Sequence, residues 1–255
     1  MRHGLGVTAG LAWRSLVLVR RMPSVFLPSL IMPLFILVAT SGAFRGISLL
    51  PQFLGASYLA FTIPLAAVMG AGFAGINAGM TLARDIEGGF ADRLVASPAP
   101  RITLLTGPLT AAALRSLFTT TVVLTAGLIG GVALPGVGGT LTVYLLGIGF
   151  SAVAACWAMG VALRARTIQA APLMQVVIFL SVFTSVAYAP REVLTGWLHT
   201  AANINPVTHI LESARAAELG RLSWPTLWPG LVAVAGMLLV LGAWALTGLA
   251  GLGRR

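Results

Sequence analysis

The sequence predicts an all-α integral membrane protein with six transmembrane helices, and three observations carry that prediction. Only 9% of the 255 residues are charged while 58% are apolar, against about 25% charged in an ordinary soluble domain. Six apolar stretches reach the roughly 20 residues a helix needs to cross a bilayer. The arginines are shared unequally between the segments that join them.

Composition comes first because it decides the solvent. With a mean hydropathy of +0.95, the chain has too little polar surface to be solvated as a globule, so its solvent is largely lipid. The net charge of +10 and pI near 11.7 resemble those of nucleic-acid binders. Here, however, the basic residues form no stripe and sit as singles or pairs between apolar runs, so no nucleic-acid partner is expected. All 16 basic residues are Arg, without a single Lys. That excludes the Walker A loop, whose Lys contacts the terminal phosphates, and Schiff-base chemistry. Cys156 is the only cysteine, so neither a disulfide framework nor a thiolate cluster can form. His3, His199 and His209 lie far apart and form no ligand pair at helical spacing, so no metal is expected on this chain.

The apolar stretches fall at about 23–44, 54–80, 106–134, 141–163, 170–189 and 228–250. The first exceeds the 7–15 residues of a signal-peptide core and reads as a retained span of a membrane domain over 23–255. With the N-terminus inside, twelve arginines (2, 14, 20, 21, 84, 93, 101, 115, 164, 166, 254 and 255) are cytoplasmic and four (45, 191, 215 and 221) are external. The expected protein is therefore multi-pass, with both termini in the cytoplasm. Arg115 lies inside the third apolar run. Counting 19 residues back from Leu134 gives about 28 Å, one bilayer core, which predicts that Arg115 reaches the cytoplasmic interface.

Residues 1–22 mix apolar positions and Trp13 with Arg14, Arg20 and Arg21, and Pro23 separates them from the first span. The pattern predicts an amphipathic interfacial helix on anionic lipid headgroups; the alternative is an irregular basic tail. Arg164-Ala165-Arg166-Thr167 is a tight turn between the fourth and fifth spans. The external segment 190–225 is too polar to span. Asn205-Pro206 supplies an N-cap followed by proline at the first helical position, and Gly220 a C-terminal stop. Val207, Ile210, Leu211 and Ala214 then share one face, while Glu212, Arg215 and Glu218 are spaced to neutralise one another. This helix either lies on the outer leaflet or dips into it. Gly75 and Gly79, like Gly147 and Ser151, are spaced for close helix packing.

All six acidic residues lie outside the spans, where an ion-coupled carrier would need one near the midplane. Asn77 reads as an interhelical hydrogen bond. Asp85, Glu87 and Asp92, flanked by Arg84 and Arg93, suit a charge-balanced helix better than a divalent-metal site. The stretch 84–98 is longer than a connector needs to be. Phe90, Leu94 and Val95 in so exposed a place point to a surface that docks on something.

These residues together resemble the membrane subunits of type-2 ABC exporters, most closely the daunorubicin-resistance-type permeases. Arg14, Arg20 and Arg21 with Pro23 and Pro33 are similar to that family's basic leading helix and Pro-containing first span. Glu87-Gly88-Gly89, Arg93-Leu94 and Ser97-Pro98 resemble its Glu-x-Gly-Thr…Leu…Ser/Thr-Pro loop. Leu163-Arg164-Ala165-Arg166-Thr167 resembles its short basic turn. Phe183, Ser185 and Pro190 resemble the exit from its fifth span, and Asn205-Pro206 with Arg215 the segment before its last. The sequence departs at Gly89, where Thr is common, at Asp92, where Glu is usual, and at Ala187-Tyr188.

The resemblance implies a bacterial plasma-membrane permease whose second protomer is identical or homologous, above two copies of an ABC ATPase subunit that hold ATP and Mg. This chain would carry no cofactor, would not itself be an enzyme, and would touch lipid and no nucleic acid. Within the loop 82–104, Glu87, Gly88, Gly89, Phe90, Arg93, Leu94, Ser97 and Pro98 would form a cytoplasmic coupling helix. Residues 190–225, with Asn205, Pro206 and Arg215, would form external re-entrant helices. The implied function is outward movement of an amphipathic drug, lipid or glycolipid by alternating access, as in multidrug efflux and antibiotic resistance. The competing readings are a secondary carrier or passive channel, which midplane charges or inverted repeats would favour, and a membrane-embedded lipid transferase, which would need clustered Asp, Glu or His.

Overall fold

Long uncharged runs in lipid must satisfy their backbone groups internally, and helices do so within one segment. The computed structural model describes residues 23–44, 46, 57–96 and 100–251 with single positions 6, 10, 13 and 17, and describes only the backbone at 23–29, 92 and 95. In chain order the helices are α1 (Pro23–Ala43), α2 (Tyr58–Glu87), α3 (Phe90–Val95), α4 (Thr103–Ile129), α5 (Gly136–Ala165), α6 (Ala171–Phe183), α7 (Gly196–Ile204), α8 (Pro206–Glu218) and α9 (Trp224–Ala250). Among the described residues there is no strand. Four helices, α2, α4, α5 and α9, are long and apolar enough to cross a membrane, and the apolar stretches 30–43 and 168–183 are shorter.

The bundle is organised around α2. Its most apolar window is 89% buried, against 11% for α9, so α2 is the axis and α9 the periphery. The closest partner of α2 is α5, and small residues explain why. A Cβ on Gly75 would collide with the Ser151 carbonyl oxygen, and one on Gly79 with Ala158. Phe150, Ala154 and Ala158 of α5 then fill a core shared with Ile76, Leu82 and Met174. On the outer sides of the bundle, Phe35 and Val38 of α1 and Phe118 of α4 are exposed, as expected of surfaces that meet lipid or another chain.

Four expectations change. The stretch 170–189 is helical only to Phe183, because the chain turns away at Thr184 and Asn205 Nδ2 donates to the Ser181 carbonyl there. The third apolar run stops at Ile129, where Gly130 caps it and Gly131 turns left-handed at φ 86°. Arg115 is therefore only 14 residues, about 21 Å, from that helix end, short of one roughly 30 Å bilayer core. Instead of snorkelling to an interface, it is buried in the protein. The acid–base spacing on α8 does not yield internal neutralisation. Glu212 pairs with Arg191, Arg215 turns inward to backbone carbonyls, and Glu218 Oε2 has no partner among the described residues.

The helix of the segment before α9 packs onto the bundle. Val207, Ile210, Leu211 and Ala214 are fully buried, and α8 packs on α9, α5 and α2. Its apolar face is part of the bundle core and not a surface film.

Candidate functional site

The arginine-rich end of the bundle gathers the residues that the sequence singles out. α2 runs on to Glu87, where Gly88 closes it by donating its N–H to the Arg84 carbonyl at 2.9 Å. Gly89 follows at φ 67°, with nothing within 4 Å of a would-be Cβ among the described residues. In that left-handed region a β-branched Thr would be strained, so glycine here lets the chain reverse directly into α3. The short α3 packs back on α2. Ala91 is fully buried, and Leu94 and Ile86 are half-buried against the main core. Leu94 thus faces its own protein in large part, and Phe90 is half-buried, so neither is the freely exposed anchor that the sequence suggests. What α3 and its flanks expose is charge: Arg84, Glu87, Arg93 and Arg101, with Ile102 beside them. Ser97 and Pro98 lie outside the described residues, as do Arg14, Arg20 and Arg21; Trp13 is described and exposed.

A second turn meets this loop. The Thr167 hydroxyl donates to Glu87 Oε1 at 2.6 Å and accepts from the Gln169 N–H at 3.2 Å. Arg164, three residues earlier, donates from Nη1 to the Gly160 carbonyl and from Nη2 to the Trp244 carbonyl and Thr247 Oγ1, each at 2.9 Å. Its guanidinium also lies 4.1 Å from the centre of the Trp244 ring, which stacks on Trp157. The sequence marks Arg164 and Thr167 as parts of a short basic turn but gives them no partners. The one local signal was Thr167 as a cap for the 3-10 turn Ile168–Ala170.

At the opposite end, α8 is pinned by three side chains. Asn205 Oδ1 accepts from the Val207 N–H at 2.9 Å, capping α8 just ahead of Pro206, while its amide donates to Ser181 O on α6 and to Thr184 Oγ1 at its C-terminal end. Arg215 donates to the Phe61 carbonyl at 3.2 Å and the Ala187 carbonyl at 2.7 Å, and sits 3.7 Å over the Phe61 ring. Burial lowers its pKa to about 9, opposed by Tyr58 and Glu212, which still leaves it charged at neutral pH. Arg191 grips Glu212 with two parallel bonds of 3.0 and 2.7 Å and also reaches Asn203. Sequence reading did not anticipate that pair.

Between the two ends, Met69, Phe73 and Ile76 of α2 face Ile178, Phe179 and Val182 of α6 across an apolar crevice. Phe73 meets Phe179 edge-on, Phe179 stacks on Phe183, and Phe183 contacts Tyr188. The Tyr58 hydroxyl donates to the Tyr188 carbonyl at 2.8 Å, closing this aromatic line. Among the described residues, no three His, Cys, Asp or Glu side chains are grouped to hold a metal.

Apolar helices long enough to cross a bilayer, packed around a central helix that ends in a structured charged loop, define a multi-pass membrane protein. A family model for the ABC-2 type transporter matches residues 8–219, more than four-fifths of the chain, and the chain belongs to that family as a permease subunit of an ABC transporter. Permeases of this family generally work with an ABC ATPase and often dimerise. No curated protein matches the chain.

Proposed function

We propose that this chain is the membrane subunit of an exporter of the daunorubicin-resistance type. It would have six spans and cytoplasmic termini, work as one of two protomers, and be driven by two separate ATPase subunits that hold ATP and Mg. The observation that carries the reading is the loop after α2. A connector could be four residues, yet this one is a folded element with Arg84, Glu87, Arg93 and Arg101 outward and Ala91 and Leu94 packed on the core. A partner seated on those charges would push on α2, the most buried helix of the bundle. The arginine bias supports a cytoplasmic position for this loop. The aromatic-lined crevice between α2 and α6 supports an amphipathic drug, lipid or glycolipid as substrate, because it offers an apolar face with few polar demands. Alternating access would then move that substrate outward. The packing of α8 between spans supports the re-entrant reading of 190–225, since polar backbone is tolerated at membrane depth when buried in protein.

The test is co-purification of the chain with an ABC ATPase subunit from the same cells. Reversing Arg84 and Arg93 together to Glu should lower the ATPase recovered by at least about ten-fold, because like charges at a docking surface cost several kcal/mol. Membrane insertion should be normal, since both side chains are exposed. Unchanged ATPase recovery would refute docking on this loop.

A further inference from the structure

We propose that Thr167 is a positioning residue for Glu87, and that the turn 164–167 is a crossbar locking the loop after α2 to the end of α9. This rests on the coupling reading above. The consequence is mechanical: movement imposed on the loop is carried to the last span directly, without first passing through the bundle core.

The argument starts with the Thr167 hydroxyl, which has one proton to give and lone pairs to receive. Both capacities are used, since it donates to Glu87 at 2.6 Å and accepts from the Gln169 N–H at 3.2 Å. The hydroxyl therefore cannot swing away from Glu87 without also uncapping the 3-10 turn behind it. That turn is itself seated, because Ile168 and Ala170 pack against the main core. On the other side of Thr167, Arg166 adopts the left-handed conformation at φ 56°, uncommon for a residue with a side chain. Its Nη2 donates to the Gly251 carbonyl at 3.4 Å. Arg164 adds three bonds of 2.9 Å, two of them to Trp244 and Thr247 on α9, and lies over the Trp244 ring. The approach is close because α9 has Gly248 there; a Cβ at that position would meet Arg164 Nη1 and Leu163.

So one four-residue turn holds the end of α2 through a carboxylate and the end of α9 through two guanidinium groups, with no slack between them. Planar guanidinium forks and a charge-assisted hydroxyl bond are directional. They transmit displacement where apolar contacts would slide.

The experiment uses the full chain with its ATPase subunits in lipid nanodiscs, with Cys156 replaced by Ala and spin labels at Ala96→Cys and Leu246→Cys. Both labelled sites are exposed. The distance between them is read without nucleotide and after trapping with ADP and vanadate. In the parent chain it should stay constant, because the loop and the α9 end move as one body. Thr167→Asp keeps an acceptor for the Gln169 cap but loses the donor and repels Glu87; the distance distribution should broaden to at least about twice the parent width. Thr167→Asn, which retains both an acceptor and a donor, should restore the parent distribution and rules out general unfolding as the cause. A parent distance that shifts on trapping, or a Thr167→Asp distribution identical to the parent, would overturn the proposal. A parent chain that retains no ATPase subunit would instead refute the coupling reading itself, and this is seen before any label is measured.

Discussion

Glu218 offers a prediction whose magnitude can be worked from the structure. It closes α8 and is only 6% exposed, and Oε2 has no hydrogen-bond partner among the described residues. Burial raises the carboxyl to about 7 from an ordinary 4.5. At about 1.4 kcal/mol for each pKa unit, the charged form costs the folded state up to roughly 3 kcal/mol. Above pH 7 the group is ionised in both folded and unfolded chains, and the whole cost is present. As pH falls from about 7 to 4.5 the folded chain binds the proton first, so stability rises; below 4.5 both states are protonated and the cost is gone. Glu218→Gln removes the charge at every pH. The variant should therefore lie within about 1 kcal/mol of the parent at pH 5 and exceed it at pH 8.5 by up to about 3 kcal/mol, or roughly 5–10 °C in midpoint. The assay is thermal unfolding of the detergent-solubilised chain by intrinsic tryptophan fluorescence from pH 5 to 8.5, read as variant minus parent. That difference cancels contributions from groups that both proteins share. Parallel pH profiles would refute the reasoning, and so would a variant less stable than the parent at pH 8.5, because the carboxylate would then have to be held by a partner.

Two further predictions probe packing. Asn205→Ala removes the α8 cap and both donors to α6 and should destabilise by roughly 2–3 kcal/mol; Asn205→Asp, which keeps the cap alone, should fall between, and parent-like thermal midpoints for both would sink the pinning role. Gly79→Val should force α2 and α5 apart at Ala158 and cost at least about 1–3 kcal/mol, seen as loss of the monodisperse peak on size exclusion. Gly242→Ala, where a Cβ meets nothing, is the control that should behave as the parent.

The parts of the site that were legible in the sequence are those written locally. Asn205-Pro206 signals a helix start through residue types whose capping chemistry acts within three positions, and the structure shows that cap. Gly88-Gly89 signals a reversal because only glycine enters the left-handed region without strain. The small residues of α2 likewise mark a close approach, although nothing in their spacing says that α5 is the partner. Leu94 shows the limit of local reading. As an apolar residue in a charged loop it reads as exposed, yet the fold turns it half inward against the core. Arg115 fails for a related reason: its depth was counted from a helix end that two glycines move inward.

By itself, then, the sequence determined the solvent, the apolar helical stretches and the absence of any lysine for phosphate binding, because each follows from composition or from a period of a few residues. Only the tertiary structure decided which polar groups meet. Thr167 finds Glu87 across 80 positions, Arg164 finds Thr247 across 83, and Arg215 finds the Phe61 carbonyl across 154. Such pairings depend on the rotation and offset of packed helices. A shift of one residue on a helix turns a side chain by about 100°, toward or away from its partner, with no change in the apolar pattern that a sequence displays.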